Sequence, residues 1–179
     1  MFISVIIEKH KAEEILCQTN GLWPARRKMI KVELFYLPMY IFTIQLEDKK
    51  GRHNHDLVSV DGIKGEFAFF RETDYDEETK EKTDQFSWKL TEPKAREIAM
   101  GEYQRFLLKN NLKNSNFSGI ANFSSGVQAY YPYWLGYFRR RNGYDFEAID
   151  AVGGSKQGIK MRPVFIDLIL QIPADKKVI

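Results

Sequence analysis

Three short blocks recur in this chain in the same order, and no other feature limits the fold as much. Lys11-Ala12-Glu13-Glu14-Ile15 matches Lys94-Ala95-Arg96-Glu97-Ile98. Tyr36-Leu37-Pro38-Met39-Tyr40-Ile41 matches Tyr130-Tyr131-Pro132-Tyr133-Trp134-Leu135. Val60-Asp61-Gly62-Ile63-Lys64-Gly65 matches Ile149-Asp150-Ala151-Val152-Gly153-Gly154. The interval from Pro to Asp is five residues longer in the first copy, and the excess falls in the polar stretch Glu47 to Asp56, where a hairpin loop tolerates added length. The order predicts an α+β fold of two related helix plus antiparallel-sheet units, an α-β-β(-β) repeat. On this reading residues 1–71 form the first repeat and 72–88 an acidic polar linker or loop. Residues 89–179 form the second repeat with a C-terminal segment.

Local patterns supply the elements. Met1 to Ile7 fits a short strand or the first turns of a helix. Ile7, Ala12, Ile15 and Leu16 have helical spacing over Ile6–Gln18, with Asn20-Gly21 as a stop and Leu22-Trp23-Pro24 as a connector. Arg26, Arg27, Lys28 and Lys31 read as a solvated basic lead-in. Ile30–Glu47 is rich in β-branched and aromatic residues and reads as one long strand, in which Pro38 implies an edge or a bulge. Lys49-Lys50-Gly51 marks a turn, with a second strand at Leu57–Val60 and a third at Glu66–Arg71. Thr91 and Pro93 open a helix to about Asn110, with a stripe of Ala95, Ile98, Ala99, Tyr103, Phe106 and Leu107. A polar turn at Asn114–Gly119 leads to strands at Ile120–Phe123 and Val127–Arg139. Asn142-Gly143 turns the chain into Tyr144–Ile149. Pro163–Ile172 has helix-like spacing and also fits a strand, and Asp175–Ile179 reads as a frayed tail.

Glu72 to Asp84 carries seven acidic residues and no aliphatic one, so it reads as an exposed linker or disordered loop. Its Asp74-x-Asp76-x-Glu78 spacing resembles the start of a calcium loop. Thr79 and Gln85 stand where that loop needs glycine and glutamate, which argues against calcium.

With 179 residues, 44% hydrophobic and 28% charged, the chain can bury a real core and falls in the soluble globular class. A net charge of +3 is too mild to indicate nucleic acid by itself. The single Cys17 excludes an internal disulfide and reads as a small buried hydrophobe. No stretch has the length and apolarity of a membrane span, and the apolar start is too short for a signal core. A cytoplasmic location is the expectation.

No catalytic constellation stands out, and the sequence predicts a non-enzymatic protein without a cofactor. His53 and His55 lie two apart and would share one face of a strand, as a metal pair requires, but their context reads as an exposed loop. Gly153-Gly154-Ser155-Lys156-Gln157-Gly158 lacks the Gly-Lys-Ser/Thr ending of a phosphate loop and reads as a turn. Asp61 and Asp150 fit a general acid–base pair across the copies, and fit better as caps of their own turns. On the strand after Val127, alternation puts Tyr130, Pro132, Trp134, Gly136 and Phe138 on one face. Tyr131, Tyr133, Leu135, Tyr137 and Arg139 take the other. An aromatic–basic ridge of Tyr130, Tyr133, Trp134, Tyr137, Arg139, Arg140 and Arg141 is the candidate binding surface; the alternative is that both faces are covered, one by a helix and the other by the sister unit or a dimer partner.

The run Thr91-Glu92-x-Lys94-Ala95-Arg96-Glu97-Ile98-Ala99, followed by strands that end in Ile149-Asp150-Ala151-x-x-Gly154, resembles the PepSY domain. Lys11–Leu16 with Val58–Gly65 resembles a degenerate second copy. The resemblance covers about a third of the chain. It implies a non-enzymatic α+β domain that binds or restrains a partner such as a peptidase, and it transfers no functional residues. Its members are usually exported or membrane-attached, and this chain shows no export signal.

Three functions follow as expectations. The first is a binding or regulatory protein that engages a protein or peptide partner. The second is a single-stranded nucleic-acid binder using the ridge. The third is a hydrolase using Asp61, Asp150 and the His53/His55 loop. The sequence names no ligand and no oligomeric state.

Overall fold

Strand β2 (Lys28–Asp48) is the longest strand, because its run of Val, Ile, Phe and Tyr suits an extended backbone throughout. The computed structural model describes residues 1–18, 28–48, 51–71, 75–76, 86–111 and 117–171. Among them the remaining elements are β1 (Phe2–Ile3), α1 (Lys9–Cys17), β3 (His53–Asp61), β4 (Phe67–Phe70), β5 (Tyr75–Asp76) and α2 (Glu92–Asn111). They are followed by β6 (Phe117–Phe123), β7 (Val127–Arg140), β8 (Gly143–Asp150) and α3 (Arg162–Gln171). The class is α+β with mostly antiparallel pairing, as expected. Asn20-Gly21, Leu22-Trp23-Pro24, Arg26, Arg27, Lys49, Lys50 and Asp175–Ile179 lie outside the described residues. So does most of Glu72–Asp84, including the first and last acids of the calcium-like spacing.

Several boundaries differ from the sequence reading. Strand β3 begins at His53, so the polar stretch is shorter as a loop than expected. The ladder with β2 runs from Met39 opposite Asp61 to Glu47 opposite His53. Polar residues extend a strand readily when an already extended neighbour offers the ladder. Strand β6 likewise begins at Phe117, within the expected turn. Cys17 is exposed, not buried. Ala12 and Leu16, one turn apart, set the buried face of α1, and Cys17 points about 100° away from Leu16.

The sequential division into 1–71 and 89–179 does not describe the contacts. They separate two discontinuous units, the first within Met1–Leu37, Thr73–Phe86 and Tyr130–Ile179, the second within Pro38–Glu72 and Ser87–Ala129. Helix α1 therefore belongs with β7 and β8, and α2 with β3 and β4. The end of the expected linker also belongs to a core, since Phe86 is buried against Phe35.

In the first unit, β7 pairs with β8 from Tyr133 opposite Asp150 to Arg140 opposite Gly143. Phe2 of β1 lies parallel to Tyr130, and β5 pairs antiparallel with β1. Ala12 and Leu16 of α1 join Val32, Trp134, Phe138, Ile149 and Ala151 in one core cluster. On the other face of β7, Tyr133 meets Phe165 of α3 edge-on, with ring centroids 5.1 Å apart. Gly136 matters here, since a Cβ on it would lie 2.7 Å from Leu16.

In the second unit, β3 pairs with β2 and β4, and β6 pairs with the far end of β2. Ala95, Ala99 and Tyr103 of α2 close over Tyr40, Phe42, Ile44, Val58 and Val60. Pro38 is not on an edge strand. It sits one residue beyond the β2–β3 ladder, where its carbonyl accepts from Gly62 N–H at 2.7 Å. A ladder end tolerates the missing donor.

Candidate functional site

The aromatic ridge is not a surface. Tyr131, Tyr133, Trp134, Tyr137 and Phe138 are all less than 10% exposed, and Tyr130 is half-buried with its ring stacked on Phe2 at 4.8 Å. Helix α1 covers one face of β7 and α3 meets the other, so the residues nominated for stacking are core. Trp134 Nε1–H donates to the Ile7 carbonyl at 2.6 Å, which ties the start of α1 to the strand. Burial, together with Glu33, pushes the Tyr137 hydroxyl far above its usual range.

Beyond Phe138 the strand leaves the core, and Arg139, Arg140 and Arg141 are exposed. Two of these, Arg139 and Arg141, have no ion-pair partner among the described residues. The exposed Arg140 lines an open groove of about 440 Å³ with Asp145, Phe146, Glu147, Gln157 and Arg162 among its walls. Arg140 and Arg162 both pair with the Asp145 carboxylate, Arg162 Nη2 at 2.6 Å. Arg162 also donates to the Phe146 carbonyl at 3.2 Å, and its guanidinium lies over the Phe146 ring at 4.5 Å. Burial pulls the Asp145 carboxyl upward. The hydrogen bonds from Arg162 and the Phe146 amide, with the charges of Arg162 and Arg140, outweigh it and hold the group below the usual carboxylate range. Lys156 pairs with Glu147 at 3.3 Å.

The groove runs along the outer edge of β8, which has only β7 as a strand neighbour among the described residues. Several outward backbone groups of this edge are nevertheless occupied. Asp150 N–H donates to Ser155, and Gln157 N–H to Ala148. Phe146 N–H donates to Asp145 Oδ1, while its carbonyl takes Arg162. The sequence pointed to Arg140. It missed Asp145, although its place just after the Asn142-Gly143 turn put it diagonally across from Arg140. Nothing local pointed to Arg162, which reaches Asp145 only because α3 returns to β8.

The aspartates nominated for hydrolysis are both occupied by their own turns. The fully buried Asp61 accepts from the amides of Ile63 at 2.9 Å, Lys64 at 2.8 Å, and Glu66. Burial pushes its carboxyl above the usual range, while these amides pull it back. Asp150 accepts from the amides of Val152 at 2.8 Å and Gly153 at 3.0 Å, and from the Tyr131 hydroxyl at 2.9 Å. His53 and His55 are exposed on β3, while Asp56 accepts from Tyr103 at 2.6 Å. Among the described residues, no group of three or more His, Cys, Asp or Glu is placed to hold a metal. Among the described residues, no helix is long and apolar enough to cross a membrane. None of the family models, curated proteins or solved structures compared with the chain matches it.

Proposed function

We propose that this is a non-enzymatic binding protein that engages an acidic segment of a protein partner at the groove beside β8. One observation carries the reading: two arginines, Arg140 and Arg162, converge on a single carboxylate in an open groove, with exposed Arg139, Arg141 and Lys160 close in sequence. A guanidinium offers five N–H donors in a fixed fork, so one shared aspartate leaves donors for an incoming carboxylate. Such charge-assisted bonds are worth about 1.5–3 kcal/mol each where water is partly excluded. Single-stranded nucleic acid fits less well, because the aromatic rings that would stack on bases are buried. The test is fluorescence anisotropy of labelled Glu/Asp-rich peptides, with Lys-rich peptides and oligonucleotides as controls. Acidic peptides should bind, more weakly as salt rises, and Arg140→Glu with Arg162→Glu should abolish binding. Failure of acidic peptides to bind, or tighter binding of oligonucleotides, overturns the proposal.

We also infer that the two units are copies of one helix–hairpin motif, with each hairpin closed by the helix of the other sequence repeat. Matching hydrogen bonds support it. Gly62 N–H donates to Pro38, as Ala151 N–H does to Pro132. The Gly62 carbonyl accepts from Lys89 and Leu90 ahead of α2, and the Ala151 carbonyl from Ile6 and Ile7 ahead of α1. Tyr40 donates to Leu90, as Trp134 does to Ile7. Asp61 N–H and Asp150 N–H each bond the carbonyl five residues on. Volumes interchange too: Phe42 with Ala99 in one core stands where Gly136 with Leu16 stands in the other. The PepSY resemblance agrees with this reading in pairing a helix with a small antiparallel sheet.

A further inference from the structure

Strand β4 treats its outer edge in the opposite way from β8. Asp61 N–H bonds the Glu66 carbonyl at 3.1 Å, and the ladder continues with Ser59 opposite Ala68. Alternation in an antiparallel pair then turns the backbone of Glu66, Ala68 and Phe70 towards β3. The N–H and C=O of Phe67 and Phe69 turn outward. Among the described residues no strand pairs with that edge. The side chains around it are apolar and accessible. Phe69 is 48% exposed and Phe106 of α2 is 37% exposed, and their rings meet edge-on at 4.6 Å. Phe67 lies beside Phe69 at 5.6 Å. Among the described residues no charged side chain bonds the outward backbone groups of Phe67 and Phe69, as Asp145 and Arg162 bond those of Phe146 on β8. A bare, aromatic edge is a template for another strand.

We propose that β4 pairs antiparallel with β4 of a second copy of this chain, about a two-fold axis at Ala68. The edge is self-complementary in that register. Phe67 falls opposite Phe69 of the second copy, and Phe69 opposite its Phe67, so each outward N–H meets an outward carbonyl. Both are hydrogen-bonded positions, and aromatic residues facing one another across strands add to the pairing. Ala68 meets its own copy on the axis, at a non-hydrogen-bonded position where side chains come closest, and it is small and exposed. Charges do not conflict, because Glu66 faces Phe70 and Arg71 faces Gly65. The contact is isologous and closes after two chains. It is small, so the dimer should be weak and concentration-dependent.

The experiment is analytical ultracentrifugation of the full chain over a broad micromolar range, paired with amide hydrogen exchange. Wild type should shift from monomer to dimer mass with concentration, and exchange at the Phe67 and Phe69 amides should slow in parallel. Phe69→Pro removes an outward donor and leaves the ladder to β3 intact, so this variant should stay monomeric with unchanged circular dichroism. Phe69→Lys, which keeps the amide but charges the edge, should weaken the dimer and keep the fold if Phe69→Pro fails to fold. A wild type that stays monomeric with fast exchange at both amides overturns the proposal. So does a folded Phe69→Pro or Phe69→Lys variant that dimerises like wild type.

Discussion

Asp61 shows at residue scale how one side chain organises a turn. Its carboxylate takes three amides of its own loop inside a fully buried site, and Gly65 completes the loop at φ 85°. A Cβ on Gly65 would also lie 2.7 Å from Ile98, so space and dihedral both favour glycine. Asp61→Ala leaves those amides without acceptors. At about 1–3 kcal/mol for each buried unsatisfied group, a loss of at least ~3 kcal/mol is expected in urea unfolding. Tyr131→Phe, which removes only the donor to Asp150, should cost about 1 kcal/mol in the same measurement. These turns were legible in the sequence, because an Asp followed by Gly four residues on is a local signal. Cys17 was misread as buried, although the Ala12–Leu16 pair sets the buried face of α1 and points Cys17 away from it.

At the scale of elements, β8 is an edge strand closed by its own neighbours. Asp145 and Arg162 take the outward groups of Phe146, and such plugging keeps an edge from recruiting other strands. The carboxyl of Asp145 titrates lower in the folded protein than in an unfolded chain, where the value is about 3.9. Its contribution is therefore complete above the unfolded value and is lost as pH falls through the folded one. Thermal stability should drop on acidification below about pH 4, and Asp145→Asn should flatten that part of the profile while lowering stability at neutral pH. An unchanged acid profile in Asp145→Asn would remove this account. The sequence reading found β7 and its alternation correctly. It left open what covers the two faces, and the answer came from α1 and α3, both distant in sequence.

For the whole molecule, the first unit draws on both ends of the chain, while the second lies between them. Deleting Met1–Ile7 removes β1, the Ile6 and Ile7 donors to Ala151, and the acceptor for Trp134. Hydrogen exchange should then show lost protection in β7 and β8, some 120 residues away, rather than in β2 and β3. A division into sequential halves predicts the reverse. The amino-acid order was enough for most of the elements and for the turns that close the two hairpins. Helical spacing, β-branched runs, Asn142-Gly143 and the two Asp loops act within a few residues, and their energetics are local. Which helix closes which hairpin, why an aromatic strand is core, and why Arg162 meets Asp145 were decided by tertiary packing. The buried faces of α1, with Ala12 and Leu16, and of α2, with Ala95, Ala99 and Tyr103, are local patterns, but the hairpin each helix covers lies far away in the chain, so no local signal fixes the pairing. Only the volumes that fit across distant segments, Leu16 against Gly136 among them, select one.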